Sequence, residues 1–259
     1  MKHLKLFQAD ADYQSFVSNV KTPNVSFVEG DNLIYYNPQT SDISGYKMVD
    51  LGLPSGLKWA NMNVGATSPE DPGLYFQWGD TQGWTAEQID NGEKEFEFED
   101  YWDANGYDED YGYSHFKKYD NGGTHEVTII QPEDDSAKSN MGEEWRMPTA
   151  SEIQELIDNT THTYIDVDGN ELNQSQISNI NLMGVKLTGS NGNSIFIPTS
   201  DNQFNLWSGN IKLRYYTDFD EFEHTIYDDA YTLFCNRRTG ISSNYSPREY
   251  PCNVRGVHK

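Results

Sequence analysis

The chain has 259 residues, 41 acidic and 18 basic, for a formal charge of −23, a balance that repels phosphate backbones and anionic headgroups and leaves no basic face for nucleic acid. Its apolar runs, such as Ile195–Ile197, fall far short of the roughly 20 residues that span a bilayer, so membrane insertion is not expected either. Seventeen Tyr, 12 Phe and 6 Trp suit a core of rings and short strands, and the length admits one ordinary domain plus an appendage, or two small domains.

Residues 1–45 read as a small β-α-β-β unit. Lys2–Phe7 alternates like a strand, although Asp10 and Asp12 arrive before the apolar stretch of an export signal could form, so secretion by the usual route is not expected. Asp10–Asp12 offers an N-cap for the apolar spacing of Tyr13, Phe16, Val17 and Val20, and Pro23 stops that short helix. Asn24–Val28 and Leu33–Tyr36 flank Glu29-Gly30-Asp31-Asn32 and predict a hairpin closed by Pro38. A unit this small buries little surface alone and should lean on the rest of the chain or on copies of itself. The polar, turn-forming run from Gln39 to Gly45 is the linker.

From Tyr46 to the end, short strands separated by Gly, Pro, Asn and Asp predict a mostly antiparallel α+β domain with one main helix. Residues 85–120, with Glu93, Glu95, Glu97 and Glu99 at alternate positions against Phe96 and Phe98, read as a long acidic surface insertion. Solvation is the expected role of these carboxylates, with calcium binding as the alternative. The main helix runs from Ser151 to Asn159, with Thr149 and Glu152 as a capping box and Ile153, Leu156 and Ile157 as the buried face. Asp166-Val167-Asp168-Gly169-Asn170-Glu171 lacks the ligand spacing of an EF-hand and reads as a hairpin turn, as does Asn191-Gly192-Asn193.

No chemistry-bearing motif emerges. The histidines, His3, His115, His125, His162, His224 and His258, show no metal-binding spacing, and no nucleophile elbow or phosphate-binding glycine loop is present. Neither a metal nor any other cofactor is expected, and no catalytic residue is assigned. Cys235 and Cys252 could form one bridge, but two buried thiols in neighbouring C-terminal strands are the plainer expectation.

Two resemblances add to this. The run Val49–Ala60 (VDLGLPSGLKWA), then Asn63-Val64-Gly65-Ala66, Tyr75–Gly79, Trp145-Arg146-Met147-Pro148-Thr149, Gly192–Pro198, Leu206-Trp207-Ser208 and Asn253–Val257 resembles the Fibrobacter succinogenes major paralogous domain over residues 46–257. Leu206 stands where that family has an aromatic residue and Gly256 where it has proline, and the insertion has no counterpart in it. The resemblance implies a C-type lectin-like domain over 46–259, in which a twisted sheet and a helix support a long irregular region that binds partners. Trp59, Trp78 and Trp145 are expected in its core.

Leu6-Phe7, Tyr13, Phe16, Pro23–Glu29 and Ile34–Pro38 resemble a short module that heads virion proteins of phages infecting gut Bacteroidetes, including the crAss-like group. That likeness implies a virion accessory protein assembled in the host cytoplasm, a head fibre, capsid decoration or tail fibre. Residues 1–45 would anchor it to capsid or tail proteins and join copies into a dimer or trimer, through Leu6, Phe7, Tyr13, Phe16, Val25, Phe27, Ile34, Tyr35 and Tyr36. The domain would bind host surface glycan or protein through the Tyr-, Asn- and Arg-rich late region: Trp207, Ser208, Asn210, Arg214, Tyr215, Tyr216, Asn236, Arg237, Arg238, Asn244 and Tyr245. A bacterial surface lectin or adhesin is the second reading. An enzyme similar to formylglycine-generating enzymes, with Cys235 and Cys252 as its reactive pair, is the third.

Overall fold

A computed structural model describes residues 25–29, 32–36, 45–94, 102–108, 113–116, 119, 128–217 and 223–259. The chain divides into two compact units, Met1–Tyr46 and Lys47–Lys259. In the first, β1 (Val25–Glu29) and β2 (Asn32–Tyr36) form an antiparallel hairpin in which Val25 pairs with Tyr36, Ser26 with Tyr35 and Phe27 with Ile34. The predicted first strand and helix, with Leu6, Phe7, Tyr13 and Phe16, lie outside the described residues.

The second unit is mostly β, with three short α-helices among its described residues, and so belongs to the α+β class. Asn61 fastens its start: the side-chain oxygen accepts the Lys47 N–H at 2.7 Å and the Asn61 N–H donates to the Lys47 carbonyl at 3.0 Å. β3 (Met48–Asp50) and β4 (Lys58–Ala60) pair, and β16 (Val257–His258), at the other end of the chain, pairs with the far side of β4. Trp59, paired with both Val49 and Val257, is fully buried.

A four-stranded sheet takes the order β11-β10-β8-β9, built from β8 (Thr160–Asp166), β9 (Glu171–Leu172), β10 (Leu182–Gly189) and β11 (Ser194–Pro198). Both turns read from the sequence close hairpins here. Asp166 Oδ1 accepts the N–H groups of Asp168 and Asn170 at 3.0 and 2.8 Å, and the Asn170 amide donates to its Oδ2. These bonds to the ionised form, the Asn170 side chain first, hold the Asp166 carboxyl below its ordinary range. The second turn reaches across to the β3 segment, where Asn191 and Asn193 amides both donate to the Asp50 carbonyl, at 2.9 and 2.8 Å. Gly189 meets the Leu51 carbonyl so closely that a Cβ there would collide with backbone.

The largest sheet runs β14-β13-β12-β15-β5, from β5 (Tyr75–Phe76), β12 (Gln203–Thr217), β13 (Glu223–Asn236), β14 (Gly240–Pro247) and β15 (Cys252–Asn253). All its pairings are antiparallel except β12 with β15. Against it packs α3 (Ala150–Asp158), one residue earlier at each end than the sequence suggests, with Thr149 and Glu152 forming both halves of the capping box. Ile153 and Leu156 enter the core with Leu206, Leu233, Cys235 and Ile241, and Ile157 packs at its margin. Arg146 adds a bidentate ion pair to Glu152, at 2.7 and 2.6 Å.

The sequence reading did not anticipate two further helices. α1 (Ala86–Asp90) carries its own capping box, Thr85 with Gln88, and α2 (Ser136–Met141) is capped by buried Asp135. Within 85–120, β6 (Trp102–Asp108) and β7 (Tyr113–Phe116) pair with each other, whereas the Glu95–Glu99 alternation lies outside the described residues. Tyr119 ties the end of this stretch to the domain. Its ring meets Trp78 edge-on at 5.0 Å, its hydroxyl donates to Asp134 at 2.8 Å, and that oxygen accepts the Gln131 N–H at 2.7 Å.

Candidate functional site

β12 does not run evenly along β13. Trp207 pairs with Thr232 and Ile211 with Ala230, so Ser208, Gly209 and Asn210 together stand opposite Tyr231. The carbonyls and side chains released by this bulge are used at once, as buried polar groups require. Ser208 O accepts the Trp78 indole N–H at 2.7 Å, Gly209 exchanges bonds with Pro148 O and Ile130 N, and Asn210 Oδ1 accepts Ala150 N at 2.8 Å. The bulge therefore joins the sheet, the Thr128–Ile130 segment and the first turn of α3.

This placement bears on three expected binding residues. Trp207 and Ser208 are both 0 % exposed, and the Trp207 indole N–H donates to Phe76 O at 2.8 Å, so neither presents surface to a ligand. Asn210 is half-buried, with its side-chain oxygen committed to α3. Trp59, Trp78 and Trp145 are buried as well, so all four tryptophans of the resembling blocks belong to packing.

Asn236 is likewise structural. Its Oδ1 accepts the N–H groups of Arg238 and Thr239, both at 2.8 Å, and the Thr239 hydroxyl, closing the β13–β14 turn. Arg237, half-buried, and Arg238, exposed, sit on that turn. Tyr245 pairs with Tyr231, five register positions away from the Asn236–Gly240 pair, a separation of about 17 Å at the usual strand rise. The two arginines and Tyr245 thus do not share one site. Asn244 is exposed and pairs with buried Thr232, on the face of β14 opposite to Tyr245. Arg214, Tyr215 and Tyr216 lie in β12, in register with Ile226, Thr225 and His224.

What the fold does bring together is Lys212, Tyr231 and Tyr245. Tyr231 continues the row of Leu233 and Cys235 along β13, the row that α3 covers farther down. α3 begins level with the bulge, and Tyr231, the next residue of that row, is half-buried between buried Leu233 and buried Asp229. Tyr245, directly across on edge strand β14, is 48 % exposed. Lys212, just past the bulge, holds its Nζ 5.2 Å from the Tyr231 ring centroid and 5.9 Å from that of Tyr245. Lys138, Arg146 and Lys186 each pair with a carboxylate, whereas no carboxylate among the described residues lies within ion-pair reach of Lys212. Asp229, its register partner, is buried.

Two cross-strand phenol rings, Tyr245 exposed and Tyr231 half-buried, and an ammonium form a platform that can stack on an apolar ring face and donate hydrogen bonds at its edge. The sequence reading named Tyr245 but missed Lys212 and Tyr231. Their meeting depends on the three-residue offset in β12, which no local pattern announces.

The remaining reactive groups point to packing. Cys235 and Cys252 are free, buried thiols in β13 and β15, the two strands that flank β12, and are therefore not in neighbouring strands. Burial pushes the Cys235 thiol up to about 12 and Cys252 higher, the opposite of what a nucleophilic pair needs. Arg255 is fully buried, donating from Nε to Asn63 Oδ1 at 2.8 Å and from Nη1 to Phe196 O at 2.9 Å, and desolvation draws its guanidinium down to about 9. Among the described residues there is no group of three or more His, Cys, Asp or Glu arranged to hold a metal ion, and no helix long and apolar enough to cross a membrane. No protein-family model, curated protein or solved structure matches the chain.

Proposed function

We propose that the chain is a phage virion accessory protein, a head fibre, capsid decoration or tail fibre. Residues 1–45 attach it to capsid or tail proteins and to its own copies, and a C-type lectin-like domain over 46–259 engages host surface glycan. The observation that carries this reading is the Lys212–Tyr231–Tyr245 platform, a cation-and-ring surface on an acidic chain in which Tyr245 is exposed and the other two are half-buried. Sugars present apolar C–H faces ringed by hydroxyls, and tyrosine rings beside an ammonium answer both features at low entropic cost.

The lectin-like assignment is supported by the pairing of β4 with the last strand β16, by α3 packed on the largest sheet, and by the long stretch between β5 and α2. The anchoring role is supported by the separate compact unit Met1–Tyr46, by its β1–β2 hairpin and by the sequence likeness to phage virion modules. The reading of Cys235 and Cys252 as a catalytic pair is disfavoured by their burial and their separation across β12.

Antibody-gold labelling of intact particles with serum against residues 46–259 tests the proposal. Gold on capsid or tail is expected. Unlabelled particles beside labelled host cells would overturn the virion assignment in favour of a cell-surface adhesin.

A further inference from the structure

Resting on the reading of this platform as a saccharide site, we infer that its preferred ligand is an acidic sugar, a pyranose that carries a carboxylate. The two tyrosines alone would accept any ring. Lys212, a half-buried residue, adds what selects among rings: an ammonium held over both phenols, with no carboxylate of the described residues in an ion pair with it.

Distance supports this division of labour. A sugar stacked on Tyr245 at van der Waals separation, about 3.5–4.0 Å, on the side that Lys212 borders would bring a substituent at its edge within hydrogen-bond reach of an ammonium 5.9 Å from the ring centroid. A carboxylate there forms a charge-assisted bond that a hydroxyl or ester cannot match. The ring contacts already restrict the long lysine side chain, so less rotamer freedom is lost on binding than for an unsupported surface lysine. The net charge of −23 repels anions at long range, but that field is screened beyond about 8–10 Å at physiological salt, whereas the Lys212 contact acts within a few ångströms.

The test is calorimetric titration of the full-length protein with trigalacturonate and with its methyl ester, probes that share a ring and differ in the charge. Trigalacturonate should bind about tenfold more tightly than the ester. Lys212→Met should remove that preference while retaining ester binding, and Tyr245→Ala should weaken both probes, with thermal unfolding confirming that each variant is folded. Equal affinity for acid and ester, or a preference that survives Lys212→Met, overturns the acidic-sugar assignment. In that case, ester binding that is lost in Tyr245→Ala still upholds the platform itself. Failure of both probes to bind the folded wild-type protein also overturns the acidic-sugar inference.

Discussion

Asn210 Oδ1 accepts the backbone N–H of Ala150 at 2.8 Å, fixing the bulge of β12 to the first turn of α3. That bond ties the bulge to a helix start that the Thr149–Glu152 capping box defines. Asn210→Ala leaves an N-terminal helix donor without its partner and is expected to cost about 1 kcal/mol of unfolding free energy in urea titration. Asn210→Asp keeps the acceptor and should remain close to wild type.

The opposite ends of the β13–β14 hairpin should respond differently to substitution. Tyr245→Ala removes the exposed ring and is expected to reduce saccharide binding at least tenfold, with a stability change within about 0.5 kcal/mol. Arg237→Ala and Arg238→Ala alter the distant turn and should leave binding unchanged. Affinity measurements on the three variants separate the two ends.

Gly189→Ala should be among the most damaging small substitutions. The added methyl would run into the Leu51 backbone, which follows β3, while Gly189 itself is held in register with Thr160 of β8. A loss of about 3 kcal/mol is expected from chemical denaturation. Gly192→Ala, at φ +85° with open space around it, should be costly only through its backbone conformation, by about 1 kcal/mol.

Alkaline unfolding should follow the two thiols. Burial raises the folded-state values of Cys235 and Cys252, so above the ordinary thiol value of 9.0 the unfolded chain releases protons that the folded chain retains. The unfolded state then binds fewer protons, and stability falls as pH rises from about 9 toward 12. Arg255 acts in the contrary sense: desolvation draws its folded value down to about 9, well below the ordinary guanidinium range, so the penalty of burying its charge is relieved as pH passes 9. Two raised thiols outweigh one lowered guanidinium, and the net slope is downward. Cys235→Ala/Cys252→Ala should flatten or reverse it in thermal melts between pH 8 and 11.

The acid limb should involve Glu152 and His162. Although burial opposes it, hydrogen bonding and the charge of Arg146 hold the Glu152 carboxyl below its ordinary value of 4.5, so this stabilisation is present above 4.5 and lost as pH falls through the depressed value. Desolvation lowers His162, which stays neutral in the folded protein while the unfolded chain takes up a proton below 6.5. Stability therefore begins to decline below about 6.5. His162→Gln should remove the shallow upper part of that decline and leave the steeper lower part, measured by urea titration at stepped pH.

Local chemistry was the legible part of the sequence. Thr149 with Glu152, Asp168-Gly169 and Asn191-Gly192 each specify their structure within a few residues, and the helix and both hairpins stand where those motifs place them. Thr85 with Gln88 is the same kind of signal, and it marked α1, although the five-residue helix buries no residue and has no apolar stripe to draw attention to it. The binding residues were less legible for a physical reason. Trp207 and Ser208 have the composition of a recognition surface, but a bulge and a cross-sheet hydrogen bond turn them inward. Lys212 and Tyr231 meet through a long-range register offset, and the fully buried Arg255 depends on Asn63 and Phe196, far away in sequence.

The most direct measurement of the central claim is NMR of the full-length protein with isotope-labelled tyrosine rings, titrated with fragmented surface polysaccharide from gut Bacteroidetes cells and assigned with Tyr231→Phe and Tyr245→Phe. The platform predicts that the ring signals missing from those two variants shift first and saturate together. Shifts confined to other tyrosines, or none at saturating polysaccharide, would contradict it.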